Sequence, residues 1–310
     1  MNHVYKIMQE KLLSAVSFPR KGIWRFHIIA LCTAMIWSTT FVSTKVLLMA
    51  GMTPENIFFY RFFIAYVLII FIARDRLFAK NLKDEFMLFL AGLSGGSLYF
   101  LTENTALRFT YATNVSILIS ATPLITILLN SLFFHQKLSR SMLGGAILAL
   151  AGVTMVVLNG NASFKIAPIG DILTLIAAFC WAVYSVILKY LGEREYSPLF
   201  ITRKVFFYGL VGIALYLPFS GSGMHLELLS KPEVYGNLLF LGVLASMICF
   251  LAWNKVVEEI GPDKASNYIY LNPVGTIITA VIFLKEPLSW VAVAGAAITI
   301  AGVVIAEKSK

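Results

Sequence analysis

PLITILLNSLFFHQKLSRSMLGGAILALAGVTMV, residues 123–156, lies without a gap over PVGTIITAVIFLKEPLSWVAVAGAAITIAGVVIA, residues 273–306, a shift of 150 positions. Identical residues coincide at Pro123/Pro273, Thr126/Thr276, Ile127/Ile277, Phe133/Phe283, Leu138/Leu288, Ser139/Ser289, Gly145/Gly295, Ala146/Ala296, Ala151/Ala301, Gly152/Gly302 and Val153/Val303. Apolar segments match one another by chance more readily than mixed ones, so the ungapped proline and glycine matches carry the weight. The same shift pairs Asn104 with Asn254 and Ser116 with Ser266. Upstream the offset slips to 144, where Trp37/Trp181 and Lys45/Lys189 align, and then to 142, where Phe58/Phe200 and Arg61/Arg203 do. The second half of the chain repeats the first.

Composition places this repeat in lipid. Hydrophobic residues make up 59% of the 310 and charged residues 13%, about half the ~25% charge of a soluble domain. So few charges cannot cover a soluble surface, and several apolar runs reach the ~20 residues that a bilayer crossing needs. The net charge of +9 would suggest a nucleic-acid partner in a soluble protein. Here Lys and Arg cluster in short loops, which is the charge bias of membrane chains, and no nucleic acid is implied. Cys32, Cys180 and Cys249 all sit in apolar runs without disulfide or metal spacing. The sequence calls for no metal and no cofactor. An internal repeat in a membrane chain is the mark of many secondary transporters, whose substrate site lies where the copies meet.

Ten spans are expected, near residues 26–50, 56–73, 86–107, 112–133 and 141–158, then 169–190, 199–220, 235–257, 265–284 and 288–306. The organisation is a basic tail (1–25), a first five-helix repeat (26–158), an external linker (159–168), a second five-helix repeat (169–306) and a short C-terminus (307–310). The apolar run after the tail is too long for a signal-peptide core and reads as a retained first span. With the N-terminus inside, the inner segments hold 17 Lys and Arg. The outer loops hold only Arg108, Lys165, Lys231 and Lys285. That asymmetry puts both termini in the cytoplasm. Five spans is an odd number, so the second unit runs through the bilayer in the opposite sense. The fold class expected is all-α integral membrane, ten transmembrane helices in two inverted five-helix repeats.

The motifs and their order resemble a family. The first span carries Trp37-Ser38-Thr39-Thr40-Phe41 and the second Arg61-Phe62. Spans four and nine carry Pro123-Leu124 and Asn272-Pro273-Val274; Lys285-Glu286-Pro287-Leu288 precedes span ten, with Gly295 and Gly302 inside it. From about Ile28 to Ala306 the chain is similar to bacterial drug/metabolite transporters of the EamA type. One departure is that Glu286 is matched in the first copy by Gln136. The resemblance implies a bacterial inner-membrane carrier that exports small metabolites, often amino acids, without ATP. It also implies a central cavity lined by spans one, three, four, six, eight and nine, with two, five, seven and ten peripheral or supporting a gate. Lys45, Arg61, Lys189 and Arg203 would be charge partners or gate residues.

Site candidates follow from cost. A charge inside a span costs roughly 3 kcal/mol by insertion scales, so it faces a cavity or a partner. Glu103 is the outstanding acid, four residues inside the outer end of span three beside Asn104 and one turn from Tyr99. It either pairs with Arg61 or Lys45 at similar depth or faces the cavity to bind a substrate ammonium or carry a proton, the candidate coupling ion. The mirrored positions are Lys189, Arg203 and Trp253, adjoined by Lys204, so the acid has no counterpart. These bases either meet Glu193 and Glu195 near the inner surface or stand unpaired to attract a substrate carboxylate. Trp37 and Thr40 share a helical face mirrored by Trp181 and Tyr184. Ser120 and Pro123 mirror Tyr270 and Pro273, and the prolines read as paired kinks near the site. Trp253, Asn254 and Asn272 complete the expected cavity set. No Walker A loop and no catalytic constellation is present in the sequence. A receptor, a scaffold or an intramembrane enzyme leaves the inverted repeat unexplained. Export of amphipathic cationic drugs and metabolite uptake are the nearer rivals to amino-acid export.

The orientation makes a direct prediction. A cysteine introduced beside Lys80, in the loop after the second span, is labelled by impermeant maleimide only from the cytoplasmic side; labelling from outside reverses the topology.

Overall fold

Helices account for the folding of this chain because, in hydrocarbon, each backbone N–H and C=O must find its partner within its own segment. The computed structural model describes residues 22–73, 76–110, 112–135, 139–158, 168–221, 223–284 and 289–307, and no strand occurs among them. Most of the basic tail, residues 159–167 of the linker, Gln136, the segment 285–288 and residues 308–310 lie outside the described residues. In chain order the helices are α1 (Trp24–Met49), α2 (Pro54–Ile72), α3 (Leu82–Phe109), α4 (Ala112–Ile119), α5 (Thr122–Phe134) and α6 (Arg140–Leu158). The second half supplies α7 (Pro168–Glu193), α8 (Pro198–Ser220), α9 (Pro232–Ile260), α10 (Pro262–Asn267), α11 (Asn272–Leu284) and α12 (Trp290–Glu307).

Six of these, α1, α2, α3, α7, α8 and α9, are long and apolar enough to cross a bilayer among the described residues. Shorter apolar helices run over Thr122–Phe134, Arg140–Met155 and Val293–Ala306. The expected span at 112–133 is two helices, α4 and α5, parted at Ser120–Ala121. The expected span at 265–284 runs through α10, a 3₁₀ turn (Tyr268–Leu271) and α11. Pro123 and Pro273 explain both interruptions, since neither has an N–H to give the carbonyl four residues back. Each proline occupies the second position of a helix, α5 or α11. Pro123 follows a two-residue turn, whereas residues 262–284 pass from α10 through the 3₁₀ turn into α11 without a gap.

Local chemistry repeats along with sequence. Thr53 caps α2, its hydroxyl accepting from the Asn56 amide at 3.3 Å, with Pro54 at the first helical position. Ser197 and Pro198 do the same for α8, the serine accepting from Phe200 at 3.2 Å. Both pairs fit the known preferences for helix starts. A π-helical stretch interrupts α3 at Leu93–Leu98 and another interrupts α9 at Phe240–Ile248. The 150-residue shift carries the first into the second. Such stretches are rare and concentrate where a helix must present something unusual.

Small residues set the packing. A Cβ on Gly145 would lie 2.4 Å from the Ala306 amide, one on Gly152 2.5 Å from the Thr299 amide, and one on Gly302 2.4 Å from the Ala149 amide. The backbones of α6 and α12 therefore touch, which is how helices associate where lipid supplies no hydrophobic drive. Gly92 is similarly tight, since a Cβ there would lie 2.4 Å from Tyr208 Cβ, and it ties α3 to α8. Elsewhere the core is aromatic, with Phe58, Phe62, Phe206 and Phe250 nearly inaccessible.

Replacing Gly152 with Leu is expected to force α6 and α12 apart. Overpacking of this kind costs about 1–3 kcal/mol, with more where backbone is struck. Thermal unfolding in detergent should show a lowered midpoint, while Gly144→Leu, where a Cβ meets nothing within 4 Å, should not.

Candidate functional site

A small cavity of about 30 Å³ lies where the halves meet. Its wall comprises Trp37, Thr40 and Phe41 from α1, Arg61 from α2, Tyr99, Phe100 and Glu103 from α3, and Ile119 and Thr122 at the break between α4 and α5. The second half contributes Trp181 from α7, Phe250 from α9, and Ile269 and Asn272 around the start of α11. Of the residues expected from sequence, Trp37, Thr40, Arg61, Tyr99, Glu103, Trp181 and Asn272 come together here. Arg61 brings the second span to the wall, so this span is not wholly peripheral, the first of the two roles expected for it.

Glu103 is the acid of this cavity and is only 4% exposed. Its carboxylate faces the Tyr99 phenol and has Arg61 as an opposite charge. Arg61 is itself well held, its Nε donating to Ser246 Oγ at 3.0 Å and its guanidinium lying 4.0 Å from the Phe100 ring centre. Lys45 is elsewhere. Its Nζ donates to the Leu107 carbonyl at 2.6 Å, filling an acceptor in the last turn of α3 where a cation also suits the helix dipole.

Several other expected site residues lie behind the wall. Asn104 donates from Nδ2 to the Pro54 carbonyl at 3.3 Å and ties α3 to the start of α2. Tyr184 donates to Asn254 Oδ1 at 2.6 Å, and Asn254 Nδ2 donates to Thr202 Oγ1 at 2.8 Å. Ser120 returns its hydroxyl to the Ser116 carbonyl at 2.9 Å. Trp253 is fully buried behind Trp37, ring centres 5.0 Å apart, and Tyr270 is enclosed between α5, α6 and α12.

The basic residues of the second half are engaged too. Arg203 donates from Nη1 to the Ala73 carbonyl at 2.6 Å and from Nη2 to the Arg76 carbonyl, closing the C-terminal end of α2. Lys189 lies 4.0 Å from the Phe134 ring centre, near Asp263, which accepts from Asn130. Lys204 pairs with Glu85, which also accepts from the Tyr208 phenol and from the Ala79 amide. Asp84 beside it accepts from Tyr196 at 2.8 Å and from Tyr190 at 3.2 Å, with Arg194 at 3.6 Å. Of the two sequence alternatives, an unpaired base or bases meeting Glu193 and Glu195, Lys204 follows neither: its acid is Glu85.

Sequence reasoning missed Phe41, Phe100, Phe250, Ile119, Ile269 and Thr122. The signal for most of them was available, because the shift of 150 pairs Phe100 with Phe250, Ile119 with Ile269 and Thr122 with Asn272. Trp37/Trp181 at 144 adds a fourth symmetric pair. One asymmetry stands out within it. The Trp37 indole donates to the Ala245 carbonyl at 2.9 Å, inside the π stretch of α9, whereas Trp181 Nε1 is buried without a partner among the described residues.

Two long stretches of this chain, residues 24–158 and 168–307, match the sequence profile of the EamA-like transporter family. The chain belongs to that family. An uncharacterized transporter of Archaeoglobus fulgidus is 31% identical to it over 89% of this chain and 95% of its own. A protein of Salmonella typhimurium named a probable amino-acid metabolite efflux pump is 27% identical over 89% and 93%. One crystal structure, 19% identical, superposes over 91% of this chain and 96% of its own with a TM-score of 0.68, a likeness of fold alone. This EamA-like protein is a multi-pass membrane transporter by family, and its cavity joins residues from both matched stretches.

The Lys204–Glu85 contact offers a test independent of transport. Lys204→Met leaves a mostly buried carboxylate with only neutral donors, which should cost about 2–4 kcal/mol. Melting temperature should fall, and adding Glu85→Gln should recover part of the loss.

Proposed function

We propose that this protein is a secondary transporter that exports amino acids or related small metabolites by alternating access. In this reading ten spans form two inverted five-helix units in a bacterial cytoplasmic membrane, with both termini inside. The repeat, the paired π stretches and the two prolines at helix starts support that architecture. Glu103 carries the functional reading. It is a carboxylate nearly removed from solvent, on the wall of an aromatic cavity at the junction of the halves, with no acidic counterpart in the second half.

Arg61 shares the cavity, so a zwitterion finds both signs of charge within it. The Salmonella relative named for amino-acid metabolite efflux supports the substrate class. A second reading, efflux of cationic amphipathic drugs, is favoured by the aromatic wall, because indole and phenol faces attract cations. A proton on Glu103 is the simplest coupling ion, since neutralising the acid releases a bound ammonium.

Proteoliposomes with a panel of labelled amino acids test the substrate class, and movement of cationic dyes in place of every amino acid would favour the drug reading. Glu103→Gln tests the site. Loss of a charged contact should reduce transport by about tenfold or more, while Arg61 keeps Ser246 and Phe100 and stability holds. Normal transport by a stable Glu103→Gln protein sinks the reading. Instability that Arg61→Gln relieves would instead make the acid a structural partner.

A further inference from the structure

Thr122 and Asn272 are an unusual pair. The 150-residue shift superposes them, each immediately precedes a proline, and both line the cavity that holds Glu103. Thr122 is fully buried and Asn272 is 4% exposed. Yet Thr122 Oγ1 and Asn272 Oδ1 have no hydrogen-bond partner among the described residues. Ser116 and Ser266, a second buried pair under the same shift, also have hydroxyls without a partner among the described residues, but they do not line the cavity. Two other threonines close on their own helices. Thr126 returns its hydroxyl to the Thr122 carbonyl at 2.9 Å, and Thr40 returns its own to the Trp37 carbonyl at 2.6 Å. Buried polar oxygens are nearly always paired because leaving one unpaired is costly. Two such oxygens at equivalent positions on one wall therefore point to a ligand.

We infer that Thr122 Oγ1, Asn272 Oδ1 and the Glu103 carboxylate form a three-acceptor site for the ammonium group of a primary-amine substrate. The inference rests on the transport reading above and deepens it. A primary ammonium carries three N–H donors and no acceptor. Three oxygens, one of them anionic, match that demand in number and in charge. Methylation of the nitrogen removes the donors while leaving the positive charge.

The aromatic rings argue in the same direction. A quaternary ammonium is recognised by ring faces arranged around it. Here the rings are packed on one another, Trp37 with Trp181 at 5.1 Å and Tyr99 with Trp181 at 5.0 Å between centres. Rings in edge and tilted contact at those spacings leave no slot between them for a methylated nitrogen. The wall thus selects by hydrogen bonding, with the rings supplying shape and a low-dielectric surround.

The test uses the full chain in proteoliposomes. The best-transported member of a panel of labelled L-amino acids is competed with itself and with its own N,N,N-trimethyl derivative. The trimethyl compound should inhibit at least about tenfold more weakly, and Thr122→Val and Asn272→Leu should each raise KM about tenfold. Thr122→Ser, which keeps the hydroxyl, should restore KM. Melting temperatures are measured alongside, and Asn272→Ala replaces Asn272→Leu if the latter fails to fold. Equal inhibition by the trimethyl compound, or unchanged KM in stable variants, overturns the three-acceptor site and leaves the transport reading intact, the two oxygens then serving water only. Transport of no panel member overturns the amino-acid reading and this site with it.

Discussion

Hydrocarbon does not hydrate peptide groups, and the placement of polar side chains throughout this fold answers to that constraint. At several helix ends, bends and close crossings, a side chain from another helix donates to a backbone carbonyl. Lys45 serves Leu107, Arg203 serves Ala73 and Arg76, Asn104 serves Pro54, and Trp37 serves Ala245. Asn56 and Tyr60 hold the carbonyls of Gly223 and Met224 at 2.6 Å each, pinning the loop after α8 to α2. Ser97 reaches the Gly209 carbonyl at 3.1 Å. Most of these bonds cross between the halves. Backbone satisfaction and assembly of the two halves are thus achieved by the same contacts.

This economy explains why charge at membrane depth was an incomplete guide to the site. Lys45, Arg61, Lys189, Arg203 and Glu103 look alike in sequence, each a costly residue within or near a span. Only Glu103 and Arg61 reach the cavity. Carbonyl acceptors are invisible in sequence because every residue has one, so the uses of Lys45 and Arg203 could not be read there. The long helices were legible because continuous apolar runs are their whole signal. The breaks at Ser120–Ala121 and Tyr268–Leu271 were half legible, as Pro123 and Pro273 marked the place but not the manner. Glu85 was overlooked as the partner of Lys204 because 119 residues separate them.

The wall of the cavity was legible in a way that single-residue reasoning passed over. Phe100/Phe250, Ile119/Ile269 and Thr122/Asn272 share the shift that revealed the repeat. Apolar members of a repeat carry little meaning one at a time, since phenylalanine and isoleucine abound in every span. Their convergence becomes visible only when both units are folded around the same space. Tyr184, Asn254 and Trp253, chosen for their polarity or size, instead form the layer that stiffens that wall from behind.

The unequal bonding of Trp37 and Trp181 bears on the energy landscape of the chain. Sequence makes the two indoles equivalent, but in this conformation one N–H is spent and the other is idle. A net hydrogen bond contributes on the order of 1 kcal/mol, which weights one arrangement over another by roughly fivefold. A bias of that size is enough to define a resting state and small enough for a ligand of modest differential affinity to reverse. The inequality between two residues that the repeat makes equivalent is thus one shallow tilt among the differences that set the two halves apart.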